Sequence, residues 1–503
     1  MGIMLKIFRE VSIRKLWTAT LLVGIFVFVN THPIRPHDFW WHMALGREIL
    51  TTGRIPVTDV YSFTMLNQTY ASYQMFWFAD VSIYSLYSLG GPALVIFIQA
   101  FFISCTYLLL TLICWQKSHR WGVTTLALFF AAALGIHNWN VRPQTISYLI
   151  GVIFLYGIYA YRNHPKRARL FVFPLGMMIW ANSHGSFPIG FLLLGIWLAD
   201  EIWQSISLFR SSHREISIQG IQAPLLSLLL SILACLINPR GPGIFSYVLN
   251  LSSNPVIQNL VPEWAPPTFT TQIGIIFFLG FLFVSTVMIL SPRRPNFYQI
   301  TTFLIFALLA MITTRGMIWF GIVMAPILAE FLAAIAVQLD FMNREPRTRR
   351  SYLVNMGFLI ILILITIFSL PWFKHFFPFP KPKSGLISYE TPVEATQFLL
   401  DQRPKPNIFN EIGFGSYLIW NAYPNYQVFV DPRIELYSPD IWRDYIAVIN
   451  TLPGWDQILG RYDINTVMVD PDKQAGLVNA LENSPEWGLI YQDQVAVVYQ
   501  NLE

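Results

Sequence analysis

Apolar residues fill long, almost unbroken runs through most of the chain, and only the last stretch mixes apolar and polar positions in short alternation. The runs lie near 16–31, 92–116, 121–136, 144–160, 169–182, 186–203, 222–238, 272–290, 298–314, 317–337 and 353–372. Each approaches the roughly 20 residues with which a helix crosses about 30 Å of hydrocarbon, so the pattern predicts eleven transmembrane helices. The shorter runs need flanking residues or local thinning to span. The first run is followed by charged sequence and no small-residue cleavage site, so it reads as a retained anchor. Two amphipathic stretches interrupt the series. Residues 40–52, opened by His37-Asp38 and closed by Gly53, predict one short helix, and 76–90, ending at Gly90-Gly91-Pro92, a second. Both read as helices lying in the membrane interface.

After the last run comes a Pro-rich stretch, 373–384, expected to be extended and stiff. In the tail, 385–503, strand-like runs (407–409, 427–430, 466–469, 495–499) alternate with helical ones (392–400, 416–422, 441–451, 455–459, 474–483), the pattern of a small α/β domain. The expected organisation is a membrane domain over 1–372 with a long first loop at 32–91, the linker 373–384, and the tail domain 385–503.

Composition agrees. Of 503 residues, 54% are hydrophobic and 12% charged, against about 25% charged in soluble domains. The net charge of +5 is small for this length and gives no reason to expect nucleic acid as a partner. All three cysteines (Cys105, Cys114, Cys235) sit in apolar runs and read as buried thiols. Basic residues orient the chain. Lys6, Arg9, Arg14 and Lys15 precede the first run; Arg162, Lys166, Arg167 and Arg169 fall between the fourth and fifth; Arg214 and the group Arg344, Arg347, Arg349 and Arg350 occupy later loops of the same parity. Positive residues favour the cytoplasmic side, which places the N-terminus inside and the tail, together with loops 32–91, 137–143, 183–185, 239–271 and 315–316, outside. The tail carries 16 of the chain's 28 acidic residues.

The outside loops hold the candidate chemistry. Asp38 stands at the change from apolar run to loop, in His37-Asp38-Phe39-Trp40-Trp41-His42. A carboxylate walled by aromatics beside a bilayer gains basicity and suits a general base; the same Asp also fits a helix N-cap. Trp40 and Trp41 fit sugar stacking or plain interfacial anchoring. Asp59 is a second loop acid that assists the first, orients an arginine or shares a divalent ion. His37, Asp38, His42 and Asp59 offer donors for such an ion, but their spacing matches no metal signature, and no cofactor is assigned. Glu48 and Asp80 read as structural. Each later loop sets a polar group beside Gly or Pro: Arg142, His184, Arg240 and Arg315. One such arginine can anchor lipid headgroups; several at one depth point to a bound phosphate, for which guanidinium is the fitting partner. Glu263 either binds an acceptor or pairs with one of these arginines. In the tail, Gly413 and Gly415 with Asp431 and Arg433 form either a ligand crevice or an ordinary tight turn and loop pair.

Several motifs together resemble a large group of bacterial polytopic proteins placed among the GT-C glycosyltransferases. They are Asp38-Phe-Trp-Trp-His-Met-Ala-Leu-Gly-Arg47, Gly53-Arg-Ile-Pro-Val-Thr-Asp-Val-Tyr-Ser-Phe-Thr64, Trp77-Phe-Ala-Asp80, Arg142-Pro-Gln144, Gly415-Ser-Tyr-Leu-Ile-Trp420 and Phe429-Val-Asp-Pro-Arg433. Relatives of that group include protein mannosyltransferases, the aminoarabinose transferase acting on lipid A, and oligosaccharyltransferases. The resemblance implies a mainly α bundle with juxtamembrane helices, a polyprenyl-phosphate-linked sugar donor, and an active site at the outer membrane face with an acid in the first loop. Asp38 matches that acid. The first loop has no Asp-x-Asp, unlike metal-dependent relatives.

The resulting expectation is an enzyme of the bacterial plasma membrane that transfers a sugar, with inversion, to a hydroxyl of a glycan, lipid or protein acceptor. Asp38 is the base, Arg142, Arg240, Arg315 and His184 hold the donor phosphate, and His37, His42, Trp40, Trp41 and Glu263 contact substrate. The competing readings are a lipid-linked glycan transporter, a non-catalytic assembly subunit and a polysaccharide ligase. Clustering of charge at one face, with no internal repeat, favours the enzyme.

Overall fold

The computed structural model describes residues 12–212, 218–252, 254, 256, 258, 261–339, 349–376 and 379–502. Lys6, Arg9, Arg214, Arg344 and Arg347, used above to orient the chain, lie outside the described residues. Every apolar run forms a helix. In chain order these are α1 (Ile13–Thr31), α3 (Ser72–Ser118), α4 (Trp121–Gly135), α5 (Thr145–Asn163), α6 (Val172–Ala181), α7 (Pro188–Ser212), α8 (Ile218–Cys235), α10 (Gln272–Leu290), α11 (Phe297–Ile312), α12 (Gly316–Gln338) and α13 (Arg349–Phe368), with α2 (Phe39–Thr52) and α9 (Gly243–Ser252) between them. Seven of the described helices are long and apolar enough to cross a membrane, and this is a multi-pass membrane protein. At 10 residues α6 falls well short of that length.

The two expected interfacial helices fare differently. α2 is separate and ends where Gly53 turns left-handed at φ 68°, a conformation that suits glycine. The 76–90 stretch is not separate: it is the first half of the 47-residue α3, kinked where Gly90 and Gly91 leave helical geometry just before Pro92. Pro92 cannot complete the helical hydrogen bonding there, and the two glycines absorb the bend. α2 lies tightly on this first half. A Cβ at Gly46 would come within 2.2 Å of the Asp80 carbonyl oxygen, so the glycine permits the close crossing.

The tail folds as a four-stranded sheet of β1 (Ile408–Asn410), β2 (Thr466–Val469), β3 (Trp487–Gln492) and β4 (Val497–Asn501), in the order β1-β2-β4-β3. β1 and β2 are parallel and the other pairs antiparallel. Its helices are α14 (Val393–Gln402), α15 (Ile412–Asn421), α16 (Pro439–Ile449), α17 (Trp455–Arg461) and α18 (Ala475–Glu482). Two expectations need correction. Residues 427–430 are not a strand: Val428 makes single bridges to Ile408 on one side and Ser62 on the other, so the segment is a wedge between β1 and the first loop. The linker is not simply extended either. Pro371–Phe376 winds into a 3-10 helix, and buried Lys374 donates to the Gly385 carbonyl at 2.6 Å.

The first loop and the tail share one hydrophobic core. Trp41, Leu45 and Ile49 of α2 and Tyr61, Tyr70 and Tyr73 pack with Phe409, Leu418 and Val430. Within it sits a charged knot. Arg433, 1% exposed, pairs through Nη1 with Asp59 and through Nη2 with Asp431 at 2.6 Å. It also donates to the Tyr73 hydroxyl, and Tyr61, Tyr70 and Tyr73 wall its guanidinium at 5.4–5.8 Å. Ser62 and Tyr73 donate to Asp59. Burial raises the cost of charging Asp59, yet Arg433 and these donors hold it below the usual carboxylate range.

Removing one partner of such a buried network strands the remaining charges, at a cost of about 3–5 kcal/mol. Arg433→Met should therefore lower the thermal unfolding midpoint in detergent sharply. Arg443→Ala, which breaks the exposed Arg443–Asp440 pair, should leave stability within about 0.5 kcal/mol. Equal midpoints for the two variants would show that the knot does not hold the loop to the tail.

Candidate active site

A cavity of about 510 Å³ opens between the loop end of the helical bundle and the tail domain. The helices bring one wall together from loops far apart in sequence: Arg142 between α4 and α5, His184 between α6 and α7, Glu263 before α10, and Arg315 just ahead of α12. The first turn of α2 adds Asp38 and His42. The opposite wall comes from the tail, with Glu411 and Gly413 at the start of α15 and Ile434 and Glu435 beyond. A second groove, of about 620 Å³, lies among α1, α4 and α13 and is lined, among the described residues, by apolar side chains, Thr and Asn.

Glu263 organises the first wall. It accepts from Arg142 Nη1 at 2.7 and 2.9 Å and from Arg315 Nε and Nη2 at 3.0 and 2.9 Å. Burial would push its pKa up, but the two guanidinium groups prevail and bring it down to about 2. Arg142 Nε also meets Asp38 Oδ2 at 3.3 Å. Arg142 Nη2 and Arg315 Nη1 make no hydrogen bond among the described residues, so each arginine is fixed by carboxylates and keeps one amine end for a ligand. Asp38 occupies the N-cap position of α2, yet its side chain makes no capping bond and its backbone is helical. The capping role thus gives way to the arginine.

The cavity histidines are disfavoured as cations. Burial, then the charges of Arg315 and Arg142, lowers the His184 pKa to about 3; burial likewise lowers that of His37. His184 Nδ1 lies 2.8 Å from Ser186 Oγ. His42 Nδ1 lies 2.6 Å from Asp80 Oδ1, and its ring stacks on Trp41 at 3.6 Å. Across the cavity Glu435 accepts from Tyr70 at 2.7 Å and Ser72 at 2.8 Å, and Glu411 accepts from the Phe414 amide at 2.9 Å. Among the described residues no three His, Cys, Asp or Glu side chains converge as a metal site.

Most of the residues expected at the site meet there: Asp38, His37, Trp41, His42, Arg142, His184, Glu263 and Arg315 all line the cavity. Three do not. Asp59 is consumed in the buried knot with Arg433 and has no access to the cavity. Arg240 donates to Gln74 at 3.3 Å and lies over the Tyr247 ring. Trp40 is wholly buried and packs edge-on against Tyr417 and Phe39 rather than facing a sugar site.

No protein-family model matches the chain, and no curated protein matches it. Solved structures do. ArnT from Cupriavidus metallidurans, in a crystal structure with undecaprenyl phosphate bound, is 14% identical, with 97% of each chain covered and a TM-score of 0.46. The mycobacterial arabinofuranosyltransferase AftD, determined by cryo-electron microscopy, is 12% identical with a TM-score of 0.55, covering 98% of this chain and 40% of AftD. The chain shares a fold with AftD over nearly its whole length. At such identities the likeness speaks for architecture, and the chain spans well under half of AftD.

Sequence reasoning set aside Asp80 as structural, although it is the lone acid of an apolar helix and lies 2.6 Å from a cavity histidine. It also left Glu435 unassigned, because nothing local marks a residue whose partners lie more than 180 positions away.

The Glu263 pairing implies a definite pH dependence. Its pKa falls from an ordinary 4.5 to about 2 on folding, so between these values the unfolded chain binds more protons and stability drops as pH falls. The midpoint difference between the native protein and Glu263→Gln should stay constant from about pH 7 to 5 and shrink towards about pH 3. A difference that is flat across this range would mean that the carboxylate is not held by the two arginines.

Proposed function

We propose that this protein is a membrane glycosyltransferase that moves a sugar from a polyprenyl-phosphate donor to an acceptor hydroxyl at the outer face of the membrane. The observation that carries this reading is the pair of unengaged guanidinium ends, Arg142 Nη2 and Arg315 Nη1, beside Asp38 in a cavity at the loop end of a GT-C-like bundle. A phosphate bridging two arginines at that depth would keep its polyprenyl chain in the bilayer and its sugar in the cavity.

The chemistry follows from the two walls. The acceptor enters from the side of the tail domain, where Glu411 and Glu435 present hydrogen-bond acceptors to hydroxyl groups. Trp41 and Trp264, both on the cavity, offer faces to a sugar ring. The acceptor oxygen attacks the anomeric carbon on the side opposite the phosphate, which inverts that centre. Asp38 receives the acceptor's proton through Oδ1, since its Oδ2 is turned to Arg142. Arg142 thus orients the base and, with Arg315, stabilises the charge that grows on the leaving phosphate. Preorganised donors aimed at developing charge are a major source of catalysis.

Asp38→Asn should reduce transfer from a polyprenyl-phosphate sugar about 10²–10⁴-fold, the usual contribution of a positioned base, while binding of a polyprenyl phosphate persists. Arg142→Gln with Arg315→Gln should abolish the preference for polyprenyl phosphate over the matching polyprenol. Full transfer by Asp38→Asn would remove the assigned base. Equal binding of phosphate and alcohol by the native protein would defeat the whole reading.

A further inference from the structure

The transfer proposed above releases one proton into a walled cavity. The acceptor O–H and the C1–O bond to phosphate break, and the new O–C1 bond forms. The electron pair of the broken C1–O bond stays on the phosphate, which becomes a monoester dianion. Asp38 takes the hydroxyl proton but then stands neutral beside Arg142, and it must lose that proton before the next turnover. The structure holds a second titratable unit one helical turn away.

His42 follows Asp38 by four residues on α2, so the two lie on one face of the helix, and both line the cavity. Behind His42, from α3, Asp80 is wholly buried; its Oδ1 is 2.6 Å from His42 Nδ1 and its Oδ2 has no hydrogen-bond partner among the described residues. With Nδ1 committed to Asp80, Nε2 is the ring nitrogen left for the cavity, and it makes no hydrogen bond among the described residues. A buried carboxylate fixing one nitrogen of a histidine while the other meets substrate is the arrangement that stabilises an imidazolium once it forms.

The surroundings set when it forms. Burial first, then His184 and Arg142, hold the His42 pKa well below its ordinary value, so the ring is neutral in the empty cavity. Burial also pushes the Asp80 carboxyl well above the usual carboxylate range, and the Nδ1–H that His42 donates to it at 2.6 Å opposes that rise. The other titratable groups on the cavity are His37 and Asp38 at the start of its own helix, Tyr70 of the first loop, Arg315 and Glu263 on the same wall, and Glu411, Arg433 and Glu435 on the tail. The two arginines are balanced by Glu263 and Asp38. A phosphate dianion arriving between them adds negative charge on the Nε2 side, while Asp80 sits on the Nδ1 side, and opposite charges nearby favour the charged ring.

Resting on the glycosyl-transfer reading, we propose that the Asp80–His42 pair stores the proton of the reaction: it passes from Asp38 to His42 Nε2 and stays there, between Asp80 and the product phosphate, until the lipid phosphate leaves. His42 thereby acts on the reacting groups, and Asp80 is a positioning residue that acts through it.

The test needs neither the sugar nor the acceptor. Binding of a polyprenyl phosphate is measured by titration calorimetry at pH 8 in buffers of differing ionisation enthalpy. At this pH a phosphate monoester, with its second pKa near about 6, is already a dianion. The native protein should take up about one proton per phosphate bound. His42→Gln and Asp80→Asn should bind with uptake near zero, whereas Asp38→Asn should keep the uptake. Binding without uptake by the native protein overturns the proposal and leaves the glycosyl-transfer reading standing, and so does uptake that survives Asp80→Asn. Absence of binding by the native protein removes both. Because the decisive measurement is made on the native protein, misfolding of a variant does not shelter the idea.

Discussion

The ion pairs of Arg433 with Asp59 and Asp431 are the constraint on which the rest of the molecule depends. A guanidinium sealed inside a protein costs several kcal/mol of lost hydration, so it persists only where carboxylates from both sides close over it. Here Asp59 comes from the first loop and Asp431 from the tail, 372 residues later in the chain. Tyr61, Tyr70 and Tyr73 wall the same charge, and Val428 bridges the loop to the sheet. The knot therefore fixes the register between a loop of the membrane bundle and a soluble α/β unit. That register sets the distance between the two walls of the cavity.

The second charged cluster, Arg142–Glu263–Arg315, treats charge differently. In the knot the polar ends of Arg433 are spoken for; Arg433 borders the cavity, but Asp59 is wholly buried behind it and does not line it. At the wall, Glu263 takes part of each guanidinium and leaves one amine end of each unengaged. A saturated buried network specifies structure, whereas a partly saturated one at a cavity edge is a site waiting for a ligand. The distinction rests on geometry, since both clusters are built from Arg and acid. It explains why Asp59 and Asp38, two acids of the same loop, take different parts.

Much of this was legible in the sequence. Apolar run length announced each helix, because a bilayer demands length and hydrophobicity together. The convergence of Arg142, His184 and Arg315 followed from topology, since alternating spans return each such loop to the same end of the bundle. Other features were hidden because they depend on distant partners. Nothing near Asp59 in sequence reveals Arg433, and nothing near 427–430 shows that Val428 serves two edges instead of joining a strand. The helix break expected before Pro92 became a kink, since backbone geometry at Gly90 and Gly91 absorbed the bend without ending the element. Trp40 read as a surface aromatic because adjacent tryptophans suit an interface. Helical geometry instead turns Trp40 into the packing around Tyr417 and Trp41 towards the cavity.

Asp80 shows why position in a helix misleads when crossings are tight. An acid in an apolar helix is usually paid for by a partner, and the sequence gives no hint of which. Gly46 supplies the answer. Because α2 carries no side chain there, it approaches the Asp80 backbone so closely that even a Cβ would clash. The residue one turn earlier on the same face of α2 is His42, which the crossing carries to within 2.6 Å of the carboxylate. One further turn back is Asp38, at the cavity and bound to Arg142. The spacing Asp38, His42, Gly46 thus repeats every four residues along one helix face: its last member sets the helix crossing, its middle member receives a buried carboxylate from that crossing, and its first meets the arginine wall. Packing and chemistry are therefore not separable along this face. A larger residue at the crossing would press α2 away from α3, and with it the histidine from its carboxylate.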